Sequence, residues 1–166
     1  MLALRHLVSV VLLPFTVVVV VPVWLASGQP DLRWNATILV HGGRAVGILV
    51  FAGGLLLFGW CLALFARVGQ GTLAPWDPTR RLVAVGPYRY VRNPMIASVA
   101  AMLVGEAAFF GSAAIAGWAV LFIAINHIYF LASEEPGLER RFGSAYVEYK
   151  RQVPRWLPAV RRSRAD

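Results

Sequence analysis

The stretch RRLVAVGPYRYVRNP, Arg80 to Pro94, decides how this chain is to be read. It lies between apolar runs, carries Arg80, Arg81, Arg89 and Arg92 with Tyr88 and Tyr90, and ends in Asn93-Pro94 directly before another long apolar segment. Asn is a favoured helix N-cap and Pro is favoured at the first helical position. The pattern therefore predicts a basic loop that feeds straight into an apolar helix. A second polar cluster, Ser133-Glu134-Glu135-Pro136, follows the next apolar runs. If the two runs between these clusters form an antiparallel hairpin, Asn93 and Glu134 return to the same membrane face.

Outward from that stretch, composition sets the class. Hydrophobic residues make up 58% of the 166 positions and charged residues 14%, where a soluble domain carries about a quarter charged. The apolar residues gather in long runs, which predicts one all-α integral membrane domain over 1–166. Four spans are expected, at about 7–26, 45–66, 94–110 and 113–132. They include a C-terminal helical hairpin, followed by an amphipathic helix from Leu138 to Val153 lying at the membrane surface. The run from Leu7 to Ala26 has a basic start like a signal peptide but is long enough to span, and reads as a retained helix that Pro14 and Pro22 can kink. Gly43, Gly47, Gly54 and Gly59 along the second span read as a close-packing face, which also makes a homodimer conceivable. Cys61, the single cysteine, reads as a packing residue, and no metal-ligand spacing is present.

All lysines and arginines except Arg33 and Arg44, of 16 in total, fall on one side of a four-span arrangement with both termini inside. The positive-inside rule favours that topology over three spans, which would split the basic loop from the basic tail. The net charge of +8 sits beside apolar runs, so it points to anionic headgroups and orientation and not to nucleic acid. The expected site is the plasma membrane, of bacterial inner-membrane type.

On residue chemistry alone, the cytoplasmic face collects arginines that fork onto carboxylate or phosphate, tyrosines that can hold a cation, and the Glu134-Glu135 pair. This set suits a ligand with an anionic end and a cationic centre. It equally describes a positive-inside loop with interfacial tyrosines. Glu106, Asn126 and His127 lie within the apolar runs, where ionisable and polar groups are functional candidates. His127 is seven residues before Glu134, about 10 Å deeper along a helix, and Glu106 is about 20 Å beyond Asn93. His127 reads as a tunnel residue or base, or as an interhelical contact. Glu106 reads as a structural group near the outer face.

The segment GPYRYVRNPM, the hairpin after it, and EEPGLERRFGSAYVEYKRQVPRWLP together resemble the isoprenylcysteine carboxyl methyltransferase family. That family is grouped with the phospholipid methyltransferases. The resemblance covers about 72–158 and implies S-adenosylmethionine as methyl donor, bound on the cytoplasmic side. It implies cofactor contacts at Arg81, Leu82, Val83, Tyr88, Arg92, Asn93 and Glu134, with Arg92 on the cofactor carboxylate and Glu134 on its amino or ribose end. The family's Arg-His-Pro reads Arg92-Asn93-Pro94 here, and its Tyr two residues beyond that Pro is Ile96. Asn93 can exchange hydrogen bonds but cannot titrate. Phe130 stands where the eukaryotic prenylcysteine enzymes place an Arg for the substrate carboxylate. The implied reaction is methyl transfer to a lipid-like or amphiphilic acceptor arriving from the bilayer, with a carboxylate, amine or thiol as nucleophile. An amine or thiol needs a base, for which His127 and Glu135 are the candidates. The competing reading is a non-catalytic membrane scaffold with a degenerate methyltransferase pocket. A sterol-reductase-like enzyme has too many spans to fit, and a channel would need a polar stripe that no run carries.

Overall fold

The computed structural model describes residues 11–27, 37–70, 79–156 and 158, and among these the regular secondary structure is all helical. A π-helical turn series, Val11–Val20, continues as α1, Val21–Ser27. Pro14 lies inside it, and a wide i→i+5 register is a common response to an interrupted ladder. In that register the donor for the Val17 carbonyl would be residue 22, which is Pro and has no N–H. Trp118 Nε1, from a helix a hundred residues later, donates to the Val17 carbonyl at 3.1 Å instead. The first helix is thus tied to the body of the protein by a side chain satisfying its backbone.

The next helix, α2, is Thr37–Leu64 and ends in a π-helical turn, Phe65–Gly69. It begins earlier than the expected span at 45. The third is α3, Pro94–Phe110, which coincides with the sequence reading. Asn93 caps it, its Oδ1 accepting from Ile96 N at 3.4 Å, and Pro94 fills the first position. Gly111-Ser112 makes the turn, and the Ser112 hydroxyl caps α4, Ala113–Tyr129.

Beyond Tyr129 the chain departs from expectation. The helix does not close at Ser133–Pro136. It runs on through a π-helical turn, Phe130–Glu134, into α5, Glu135–Phe142. Pro136 is tolerated because a wide turn precedes it. The break comes at Gly143, whose φ of +55° suits glycine and strains other residues. α6, Ser144–Gln152, follows in a new direction. The expected single helix over 138–153 is therefore two helices. The second does not lie free at a surface: Tyr146 is 1% exposed, the Tyr149 hydroxyl donates to the Tyr88 carbonyl at 2.7 Å, and Arg92 N donates to the Pro154 carbonyl at 2.9 Å. Residues 144–156 form a strap across the basic loop.

Gly42–Gly69 and Ala113–Phe142, 28 and 30 residues, are long and apolar enough to cross a bilayer, while Pro14–Ser27 and Pro94–Phe110 are shorter apolar helices. Large apolar side chains such as Trp24, Leu49, Leu56, Val120 and Ile128 point outward and are exposed. In water such surface would be costly, and in lipid it matches the solvent. The core lies between the first helix, α2, α3 and α4, around Phe58, Cys61, Met95, Val99, Met102, Leu103 and Phe122. Cys61 is fully buried there, as a packing residue should be. The glycine face of α2 is used inside the chain. A Cβ on Gly47 would lie 2.6 Å from the Gly105 carbonyl, and one on Gly54 would lie 2.8 Å from the Ser98 carbonyl. Gly59 has nothing within 4 Å and takes no part. Gly47 and Gly54 thus pack α2 on α3 and are not free for a second copy.

Candidate functional site

The hairpin of α3 and α4 returns Asn93 and Glu134 to one end of the molecule, where both line a cavity of about 660 Å³. That is within the usual range for small-molecule sites. The cavity has two kinds of wall. Towards the apolar body it is bounded by Val17, Phe58, Met95, Ile96, Val99 and Phe122. Towards the polar end it is bounded by Tyr88, Arg92, Asn93, Glu134, Tyr146 and Tyr149.

The polar wall is set by local chemistry. Gly86, with φ +59°, opens the short 3-10 turn Gly86–Arg89. A side chain there would also meet Leu64 and Trp60 of α2. The turn buries Tyr88 with its ring stacked on Phe65, centroids 5.7 Å apart. Arg92 and Asn93 come next, just before α3 begins. Glu134 and Glu135 are neighbours in sequence and differ in surroundings. Glu134 faces the cavity. Glu135 is buried and faces Arg92, Lys150 and Arg155.

Glu135 is the anion of a cluster. Its Oε1 accepts from Arg92 Nη1 at 2.6 Å and from Arg155 Nε and Nη2 at 3.0 and 2.8 Å. Its Oε2 lies 3.2 Å from Lys150 Nζ. Lys150 also reaches Glu139 at 2.7 Å.

Among the described residues, four buried side-chain atoms at the polar wall have no hydrogen-bond partner of good geometry: Tyr88 Oη, Arg92 Nε, Asn93 Nδ2 and Tyr146 Oη, although Tyr88 lies near Cys61 and Tyr146 near Arg92. Buried polar groups are nearly always satisfied, so a group of orphans around one cavity is a mark of a ligand site. Two of them can only donate and two can donate or accept. The set suits an acceptor-rich ligand, and Glu134 adds a place for a cation or hydroxyl. A molecule with a carboxylate, an amino group and ribose hydroxyls fits these residues.

Of the cofactor residues expected from the sequence, Leu82, Val83, Tyr88, Arg92, Asn93 and Glu134 line this cavity. Arg81 does not. It is exposed, and its backbone N–H is tied to the Gly69 carbonyl at 3.2 Å. Ile96 contributes to the apolar wall. Neither base candidate lines the cavity. Glu135 is held in its cluster, and His127 accepts at Nδ1 from Trp156 Nε1 at 3.1 Å, pinning the strap to α4. Glu106 keeps a buried carboxylate oxygen without a partner, away from this cavity. Tyr146, Tyr149 and Arg155 were not singled out by sequence. The helical spacing of Leu138, Phe142, Tyr146 and Tyr149 reads as the apolar face of a helix lying at the membrane surface, and the same pattern serves a face turned to protein.

A family model described as phospholipid methyltransferase matches residues 43–145. The chain belongs to the phospholipid methyltransferase family. The match starts within α2, so the family's reach extends well before position 72. It ends just beyond Gly143, leaving the first helix and most of the strap outside. A search of the curated proteins and a search of the solved structures return no match. Membership in this family makes the chain a membrane methyltransferase in broad class, in keeping with its two long apolar helices.

Proposed function

We propose that the protein transfers a methyl group from S-adenosylmethionine, held at the polar wall, to an amphiphilic acceptor whose apolar part occupies the rest of the same cavity. The observation that carries this reading is the coincidence of the four unpartnered buried polar atoms with Glu134 at one end of a cavity whose other end is apolar. The four-span topology with the basic loop and strap in the cytoplasm goes with it, so the polar wall opens to the compartment where a water-soluble donor is found.

When bound, S-adenosylmethionine supplies an electrophilic methyl on a sulfonium whose charge is lost in the transfer. Arg92 and Asn93 hold the anionic end, with the N-terminus of α3 beside them. Glu134 holds the amino group or ribose, and Tyr88 and Tyr146 donate to or accept from the remaining polar atoms. Val99, Met95, Phe58 and Phe122 exclude water from the reacting end and receive the acceptor's tail. Fixing donor and acceptor in line is the larger contribution such residues make. Glu134 is the only carboxylate among the described residues of the cavity wall, and in this reading it serves the cofactor. The arrangement therefore favours a nucleophile that arrives unprotonated.

The test is calorimetric titration of S-adenosylmethionine into the detergent-purified protein, beside Glu134→Ala. Micromolar binding by the wild type and a loss of about a hundredfold or more in the variant, with thermal stability kept, is expected for a charged hydrogen-bonding partner. A well-folded wild type without binding would overturn the reading and turn attention to a scaffold role.

A further inference from the structure

We infer that Glu135, clamped from the strap by Arg155 and Lys150, is a positioning residue that orients Arg92 for the cofactor. This rests on the proposed methyltransferase reading. Glu135 does not line the cavity, and Arg92 does. The side chain of Glu135 is 5% exposed, that of Arg92 9%, and their contact is 2.6 Å. A guanidinium buried this deeply with one strong partner has its plane fixed. The Nη1 edge is spent on Glu135, Tyr146 lies beside the guanidinium, and Nε is buried with no well-formed hydrogen bond among the described residues. The fork is thus divided, one nitrogen used for holding and another left for a ligand.

The carboxylate that holds Arg92 is itself held from a different part of the chain. Arg155 makes two bonds to the same oxygen, and Lys150 approaches the other oxygen. Both belong to the strap, beyond the matched family region that ends at residue 145. The backbone agrees, since Arg92 N donates to the Pro154 carbonyl. Arg92 is therefore gripped at both its main chain and its side chain by 135–155. Three cations, Arg92, Lys150 and Arg155, surround Glu135 and offset the cost of burying its charge. Orientation by a charged partner behind the residue that touches the ligand is a common way of raising affinity without a direct contact.

The experiment measures S-adenosylmethionine affinity by calorimetry, with melting temperature alongside, for the wild type, Glu135→Gln, Glu135→Asp and Arg155→Gln. It adds Arg92→Lys alone and combined with Glu135→Gln. Loss of about tenfold to a hundredfold is expected for Glu135→Gln. A smaller loss is expected for Arg155→Gln, and partial recovery for Glu135→Asp. In the Arg92→Lys background, Glu135→Gln should add less than about threefold, because the guanidinium it orients is gone. If Glu135→Gln does not fold, Arg155→Gln carries the same test, since Arg155 is partly exposed and away from the cavity wall. Binding by Glu135→Gln or Arg155→Gln as tight as wild type, or tighter, would overturn the proposal. So would a full, additive loss in the Arg92→Lys background. Either result, with a wild type that binds, leaves the methyltransferase reading intact. A wild type that does not bind overturns both.

Discussion

The α2–α3 seam and the polar wall at one end of it are built from neighbouring residues on opposite principles. Along the seam, Gly47, Gly54 and Gly105 bring backbone against backbone, and contact is so close that a single added carbon has no room. At the polar wall, only a few residues beyond the seam, Tyr88, Arg92, Asn93 and Tyr146 keep buried atoms with no well-formed hydrogen bond among the described residues. One region has spent every contact on folding. The other holds contacts back. The difference teaches where stability and binding are separable in this molecule, and substitutions can press on each side of it.

The largest effect is expected at the seam. A Cβ on Gly105 would lie 2.7 Å from both the Gly47 carbonyl and Phe51 N. Those are backbone atoms, so the helices themselves must part. Overpacking of this kind costs about 1–3 kcal/mol even where side chains can give. Gly105→Leu should lose the monodisperse protein in detergent, or its thermal transition. Gly59→Ala, on the facing helix α2 with nothing within 4 Å, should be neutral or stabilising by up to about 1 kcal/mol through helix propensity. Equal behaviour of the two variants in a thermal melt would mean the seam is not the close contact described.

Asn93 sharpens the comparison because it belongs to both regions. Its Oδ1 caps α3 and its Nδ2 is one of the orphans. Asn93→Asp keeps a good cap and removes the donor, so the melting temperature should hold while S-adenosylmethionine affinity falls about tenfold. Asn93→Ala removes both and should also lose about 1 kcal/mol of stability. If Asn93→Asp bound as the wild type does, Nδ2 would not belong to the ligand site.

How much of this was legible in the sequence follows the same division. The start of α3 could be read because Asn93-Pro94 is a local signal, and the hairpin because Gly111-Ser112 interrupts two apolar runs. The shared face of Asn93 and Glu134 followed from those two facts. The strap could not be read. An amphipathic spacing tells that Tyr146 and Tyr149 share a buried face but not what covers it. Ser133-Glu134-Glu135-Pro136 reads as a helix end and Gly143 falls inside the helix expected over 138–153, yet a wide turn at Phe130–Glu134 lets the helix pass the proline and the break comes at Gly143. Arg155 and Lys150 read as topology charges, because nothing local announces that a residue will meet Glu135 from 15 or 20 positions away. The first helix also hid its attachment, since the bond from Trp118 to the Val17 carbonyl spans a hundred residues.

Tyr146 gives the smallest and most diagnostic effect. Tyr146 lines the cavity, and its hydroxyl is buried near Arg92 with no well-formed hydrogen bond among the described residues. An unsatisfied buried hydroxyl costs the folded protein roughly 1 kcal/mol or more, whereas a hydrogen bond it makes to a ligand returns about 0.5–1.5 kcal/mol. Tyr146→Phe should therefore raise the melting temperature of the ligand-free protein slightly and weaken S-adenosylmethionine binding by about fivefold. The two changes have opposite signs, which simple loss of packing cannot produce, because Phe keeps the ring. A variant that melts lower without ligand would mean the hydroxyl is already bonded within the fold. In that case the polar wall would resemble the seam, with nothing held back at that position.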